Sequence, residues 1–200
     1  MNSCGCPFCN IKEEEILCKT ENFFVTPGIG WFVEGYVLIC HKKHYIGFGE
    51  IPVDQMQEFR TLQEKVRNVL AETYTSPLFF EHGAVSNTKK WSCCVEHAHM
   101  HVWPVDKEIL PELKEEFAMR ELENDSAFSK HFNTWISYYY YENKDGKKFI
   151  CEVNLKNAPS QYLRMLLAEK IGKGDKWNRK IHKFQENFEK TFLVIKNKLA

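Results

Sequence analysis

His97-Ala98-His99-Met100-His101-Val102-Trp103-Pro104 alternates three histidines with small or apolar residues and stops at a proline. Side chains point to opposite faces in turn along a β-strand. A strand over about 95–103 therefore puts His97, His99 and His101 on one face. Ala98, Met100 and Val102 then line the other face, which is apolar enough to bury. A single strand histidine is ordinarily a satisfied, half-buried side chain. Three in strict alternation make a fixed imidazole row, and two chemistries suit it. One is a metal site built on His-x-His. A cupin-like version wants a carboxylate four or five residues further on, where Val105 and Asp106 stand. The other is nucleophilic catalysis by a neutral imidazole whose tautomer is fixed by a partner on its second ring nitrogen.

The flanks supply strands and helices for this row to sit among. Phe23-Phe24-Val25, Trp31-Phe32-Val33 and Tyr36 to Cys40 read as strand material, Leu78 to Gly83 as a strand entering a loop, and Pro27-Gly28-Ile29-Gly30 as a turn. His41-Lys42-Lys43-His44 follows at a strand end. Pro52-Val53-Asp54 opens a helix to about Tyr74, with Asp54 as its N-cap. Met56, Phe59, Leu62, Val66, Val69 and Leu70 form its apolar face. Residues 84–92 read as a polar loop.

Beyond the row, Pro111 suits the first turn of a helix, with Leu113, Phe117 and Leu122 as its stripe. Trp135 to Tyr141 and Lys148 to Val153 read as a hairpin around Asn143-Lys144-Asp145-Gly146, because Asp-Gly supplies the positive φ of a tight turn. Ser160 can cap a helix to about Ile171. A last helix carries Trp177, Ile181, Phe184, Phe188, Phe192, Ile195 and Leu199 at three-four spacing, with its basic residues mostly on the opposite face.

The chain has 200 residues and is 44% hydrophobic, which suits one domain, or one domain with an extension. Its 27 Lys+Arg balance 27 Asp+Glu, so no global charge recruits nucleic acid or an anionic membrane. No apolar run is long enough to span a bilayer. The first residues lack the basic and apolar regions of a secretory leader, so a cytoplasmic protein is expected. In a reducing compartment its eight cysteines read as metal ligands or free thiols rather than disulfides. Cys6-Pro7-Phe8-Cys9 leaves three readings: a redox dithiol, a loose thiol cluster, or half of a tetrahedral zinc site needing two more N or S ligands. A redox pair normally follows a first strand, for which the preceding five residues leave no room.

His97-Ala98-His99-Met100-His101-Val102-Trp103 resembles the signature of the histidine triad superfamily: His, apolar, His, apolar, His, apolar, apolar. Gly35 to His44 is similar to that family's strand with its "Pro-Lys-x-His" segment. Glu81-His82-Gly83 is similar to the turn before the triad strand. The likeness covers roughly residues 4–105. It implies an α+β fold, an antiparallel sheet with packed helices, and nucleotidyl transfer through a covalent intermediate. His99, the middle histidine, is then the nucleophile at the α-phosphate, and His101 assists the leaving group. Backbone N–H groups around Ser92 to Cys94 would take charge from the phosphate oxygens. A histidine at the third position, rather than the glutamine of the uridylyltransferase branch, favours hydrolysis. Transfer, binding or sensing with little turnover, and a catalytic metal on all three histidines remain open at this point. Zinc-bearing members complete a structural zinc site with the histidines that map to His44 and His97, giving Cys6, Cys9, His44 and His97. Cys4 and His41 compete as ligands.

Departures from the family fall in the pocket. Val25-Thr26-Pro27 has no acid where an Asp often holds ribose hydroxyls. Glu81 stands where an amide often contacts phosphate, so it either turns away or meets a cationic or hydroxyl group. Cys94 stands where Ser or Thr is common. Ser92, Cys94 and Glu81 are nonetheless the candidate substrate-binding residues. The expected partner is a nucleotide or nucleotide conjugate, such as a dinucleoside polyphosphate or a nucleoside phosphoramidate. A homodimer fits the family, whereas a membrane or a sequence-specific nucleic acid is not expected. Residues 1–107 read as the catalytic domain and 108–200 as a C-terminal α+β extension, a hairpin and two helices packed on it. In the extension Tyr138 to Tyr141 read as core before base-stacking, and Arg164 as a surface residue before a phosphate ligand.

Overall fold

The computed structural model describes residues 5–83, 95–134, 136–154 and 161–200. Its eight strands form one sheet in the order β1-β2-β3-β5-β4-β7-β8-β6. They are β1 (Cys18–Lys19), β2 (Phe23–Pro27), β3 (Val37–His41), β4 (Leu78–Gly83), β5 (His99–Trp103), β6 (Arg120–Glu121), β7 (Tyr138–Glu142) and β8 (Lys148–Glu152). Every pairing is antiparallel. The histidine strand lies between β3 and β4, with Leu38 and Phe80 both opposite His101 and Cys40 opposite His99. It begins at His99. His97 precedes it in a bend, so the row is two histidines on a strand and a third at its entrance.

Alternation along the strands divides the core in two. Val37, Ile39, Phe79, Ala98, Met100 and Val102 face α1 (Met56–Thr73), α3 (Ser126–Asn133) and α5 (Gln185–Leu199). Leu38, Phe80 and Trp103 face the histidine side, with α2 (Leu110–Glu116) and α4 (Tyr162–Lys170). In α1 the buried residues Met56, Phe59, Leu62, Val66 and Leu70 repeat at three and four, as helix periodicity requires. The helix is entered through a 3-10 turn, Val53–Gln55, so Asp54 sits inside that turn and is not an N-cap.

Two other expectations are corrected. Trp31-Phe32-Val33 is not a strand. Gly30 and Gly35 flank it with φ of +80° and +82°, which no extended run can contain. Trp31 is buried instead by stacking on Phe32 at 4.2 Å and on Trp103 at 4.5 Å. The last helix begins at Gln185 rather than near Trp177. Phe184 turns the chain with φ of +47°, and the Asn178 side chain accepts from the Lys180 N–H at 3.0 Å, a local alternative to helical bonding. The three-four spacing there records burial on two sides. Trp177 and Phe184 pack on the histidine-side core, while Ile195 and Leu199 pack on the other. Finally, α3 and β6 carry too little pattern to be read from the sequence. The Ser160 cap lies outside the described residues; the residue before α4 is Gln161, at φ of +61°.

The hairpin forms as read, with Gly146 at φ of +78° and its N–H donating to Asn143 O at 3.0 Å. It does not form a separate layer. β7 pairs with β4 from Phe79↔Glu142 to Gly83↔Tyr138, so the C-terminal strands continue the sheet. All four tyrosines are buried core. Among the described residues, no helix is long and apolar enough to cross a membrane.

Candidate active site and metal cluster

His99 and His101 project from β5 into a cavity of about 510 Å³. Its wall includes Phe8, Thr26, Trp31, Tyr36, Phe80, His82 and Trp103, with Gln161, Arg164, Arg179, Lys180 and Lys183 from the C-terminal part. The His99 ring is half-buried, 5.2 Å from Phe8 and 4.7 Å from His101. Its Nδ1 lies 2.6 Å from the carbonyl of His97. A carbonyl oxygen only accepts, so Nδ1 carries the proton and Nε2 presents its lone pair. Burial pushes the imidazole down to about 4, against that hydrogen bond, so it is neutral near pH 7.

His101 is held on two sides. Phe80 stacks on it at 4.1 Å, nearly parallel, and its Nδ1 meets the Tyr36 hydroxyl at 2.6 Å. When that hydroxyl donates, Nε2 carries the proton and can donate to a ligand. Burial holds His101 well below its ordinary value, with His99 and His82 adding to the effect. Tyr36 and His82 had no assigned role in the sequence. Alternation on β4 was the available signal for His82, since Phe80 and His82 share the cavity face.

The same alternation turns Glu81 away, and the candidate substrate contact is corrected. Glu81 is 2% exposed on the opposite face. Its carboxylate accepts from the Phe48 N–H and the Tyr138 hydroxyl, each at 2.7 Å. It therefore meets a hydroxyl, though not a substrate's. Ser92 and Cys94 lie outside the described residues.

Desolvation outweighs both hydrogen bonds and raises the Glu81 carboxyl from 4.5 to about 7. The folded value exceeds the unfolded one, so the associated stabilisation is complete below about pH 4.5 and is lost as pH rises through about 7. The expected result is a wild-type stability that falls between pH 5 and 8, by on the order of 3 kcal/mol more than in Glu81→Gln. Urea unfolding at four pH values measures it. Parallel pH dependence in the two proteins would show that Glu81 titrates normally.

The third triad histidine joins another group. Cys6, Cys9, His44 and His97 place their ligating atoms within 4.8 Å of one another. Cys9 Sγ is 3.1 Å from His44 Nδ1 and 3.6 Å from His97 Nδ1, and Cys6 Sγ is 3.5 Å from His97 Nδ1. Tetrahedral zinc with thiolate and imidazole ligands separates neighbouring donors by about 3.3–3.8 Å. The His97 Nε2–H donates to the carbonyl of His41 at 2.6 Å, leaving Nδ1 as the ligating atom. His41 itself is turned aside. Its Nδ1 accepts from the Lys43 N–H and its Nε2 meets Gln55 Oε1 at 2.8 Å. Cys4 lies outside the described residues.

Arg164 is not a surface residue. It is buried, donates to the carbonyls of Trp177 and Gly30, and lies over the rings of Trp31 and Phe32 at 4.8 and 5.0 Å.

Comparison with known proteins gives a family match to the HIT domain over residues 11–108. No curated protein matches the chain. Among solved structures it is similar to a hypothetical histidine triad nucleotide-binding protein from Sulfolobus tokodaii strain7, at 14% identity and a TM-score of 0.49. That match covers 97% of this chain and 91% of the other. A Zn-bound histidine triad family protein from Mycobacterium smegmatis matches at 17% identity and a TM-score of 0.41, over 64% of this chain and 91% of the other. Yeast Ap4A phosphorylase in complex with AMP matches at 14% identity and a TM-score of 0.43, over 72% and 62%.

Proposed function

Because the chain carries a HIT domain over residues 11–108 and so belongs to the histidine triad family, we propose that it hydrolyses a nucleotide conjugate at the α-phosphate through a nucleotidyl-His99 intermediate. The observation that carries this reading is the His99 Nδ1–H bond to the carbonyl of His97. It fixes the tautomer whose Nε2 is nucleophilic without a separate base. In the first step Nε2 attacks phosphorus and the bond to the leaving group breaks. The leaving group departs as an anion that the His101 Nε2–H stabilises by a hydrogen bond, and it takes any proton it needs from solvent. In the second step water attacks the same phosphorus, the P–N bond breaks, and the nucleoside monophosphate is released. One of the water's protons passes to solvent, and His99 returns to its neutral form. The neutral histidines place no fixed charge at the attacked phosphate, so the remaining neutralisation falls to N–H donors and to the cations of the cavity wall.

The donor set of Cys6, Cys9, His44 and His97 fits zinc, which when bound supplies a rigid structural tie rather than chemistry at the phosphate. Through Cys6 and Cys9 it would hold Phe8 against His99, and through His97 it would set the carbonyl that orients His99.

The direct test is hydrolysis in H2¹⁸O with a substrate chiral at the α-phosphorus. Two in-line displacements give retention of configuration, with ¹⁸O in the monophosphate. Inversion would mean a single displacement by water and would remove the covalent step.

A further inference from the structure

We propose that the segment from Arg179 to Lys183, outside the HIT domain, forms an anion subsite for a phosphate chain running on from the phosphate under attack. This rests on the hydrolase reading above and narrows its substrate class to polyphosphate-linked nucleotides.

The formal charge of the chain is zero, but the cavity is not balanced. Arg164, Arg179, Lys180 and Lys183 line it, against one carboxylate, Glu15, among the described residues. The triad end of the cavity holds neutral His82, His99 and His101, and the cations come from the C-terminal segment.

That segment is a built turn. The Arg179 N–H donates to Gln161 Oε1 at 3.1 Å. The N–H groups of Ile181 and His182 donate to Asn178 O at 3.1 and 2.9 Å. The buried Arg164 guanidinium grips the carbonyls of Trp177 and Gly30 and so pins the segment to the loop that walls the cavity. A continuous helix from Trp177 would have carried the basic residues mostly on the face opposite the apolar one. The turn before Gln185 brings Arg179, Lys180 and Lys183 to the cavity instead. Among the described residues no carboxylate forms an ion pair with Lys180 or Lys183.

The charge of Arg179 also reaches the triad. It disfavours protonation of His82 and His101, which line the cavity beside the nucleophile. A cation within electrostatic range of the nucleophile is within range of the phosphate that the nucleophile attacks. The leaving amine of a phosphoramidate gives such cations nothing to hold. A phosphate chain presents charge there, and more of it as the bond breaks, which is where a cation contributes most to rate.

The test uses the full chain, with Lys180→Glu/Lys183→Glu and His99→Ala as variants. Both lysines are exposed, so the double variant should fold, and its melting curve checks this. At low ionic strength, calorimetry with inorganic tripolyphosphate should show binding to wild type and to His99→Ala. Binding to the double variant should be weaker by roughly tenfold or more. With diadenosine tetraphosphate and adenosine 5′-phosphoramidate as substrates, the loss of kcat/KM in the double variant should be at least about tenfold greater for the tetraphosphate. No tripolyphosphate binding by wild type, equal affinity in the double variant, or equal losses on both substrates overturns the subsite. If neither conjugate is turned over, the binding arm decides. Full activity in His99→Ala would overturn the nucleophile and leave the subsite standing.

Discussion

His99→Ala is expected to lower turnover by roughly 10⁴-fold or more while the protein still folds and binds nucleotide. The substitution removes a cavity nitrogen whose lone pair is fixed by a main-chain carbonyl, at 2.6 Å. His101 is the nearest replacement. Its Nδ1 is engaged by Tyr36 and its ring is clamped by Phe80, so it has no freedom to take over the attack. Loss of the half-buried His99 ring leaves Phe8 with one fewer contact, a small effect on stability. His101→Ala is expected to cost less, roughly 10²–10⁴-fold, and least for conjugates with good leaving groups. Steady-state kinetics with a melting curve and a nucleotide titration separate these outcomes. Turnover by His99→Ala within tenfold of wild type would remove His99 from the nucleophile role.

Cys6→Ser/Cys9→Ser is expected to release one zinc ion per chain and to lower stability by on the order of several kcal/mol. Two of four ligands are lost, and the donor distances of 3.1–3.6 Å leave His44 and His97 as an incomplete pair. The N-terminal loop would keep the packing of Phe8 and Ile11 on the histidine-side core but lose its tie to His44 and His97. Activity should fall as well, because Phe8 and the His97 carbonyl both position His99. Metal analysis, a melting curve and kinetics measure the three effects. Unchanged zinc content in the double variant overturns the ligand assignment. Lost zinc with unaltered turnover would confine the metal to stability.

What the sequence could tell follows from how local each signal was. Alternation in His99-Met100-His101-Val102 gave a strand with one chemical and one buried face, because the period of a strand is read from neighbours alone. The same rule applied to Phe80-Glu81-His82 would have turned Glu81 inward and His82 to the cavity. Family analogy, which puts a phosphate contact at position 81, pointed the other way. Of the candidate zinc ligands, Cys6 and Cys9 were legible from their own spacing, and His44 and His97 only through the resemblance. Cys9 and His97 are 88 residues apart, and nothing local joins them. Trp31-Phe32-Val33 and Trp177 to Phe184 misled for a common reason. Apolar spacing reports that side chains are buried and not which backbone buries them. Glycines at positive φ in the first case and an Asn178 turn in the second decided the backbone. Arg164 is buried through two carbonyls and two aromatic rings drawn from distant segments, so no window around it could show it.

The pairing of β7 with β4 separates two lengths that are easily confused. The HIT match ends at residue 108, whereas the sheet continues through Tyr138–Glu142 and beyond. A fragment cut at that match would leave β4 as a naked edge, from Phe79 to Gly83, with its N–H and C=O groups unpaired beside the cavity. It would also lose α5 and the residues that cover Phe79 and Phe80 with tyrosine. Such an edge is a template for a second copy of itself. The stretch that carries the signature is therefore shorter than the stretch over which the sheet is paired, and the added strands cover an edge as much as they wall a ligand.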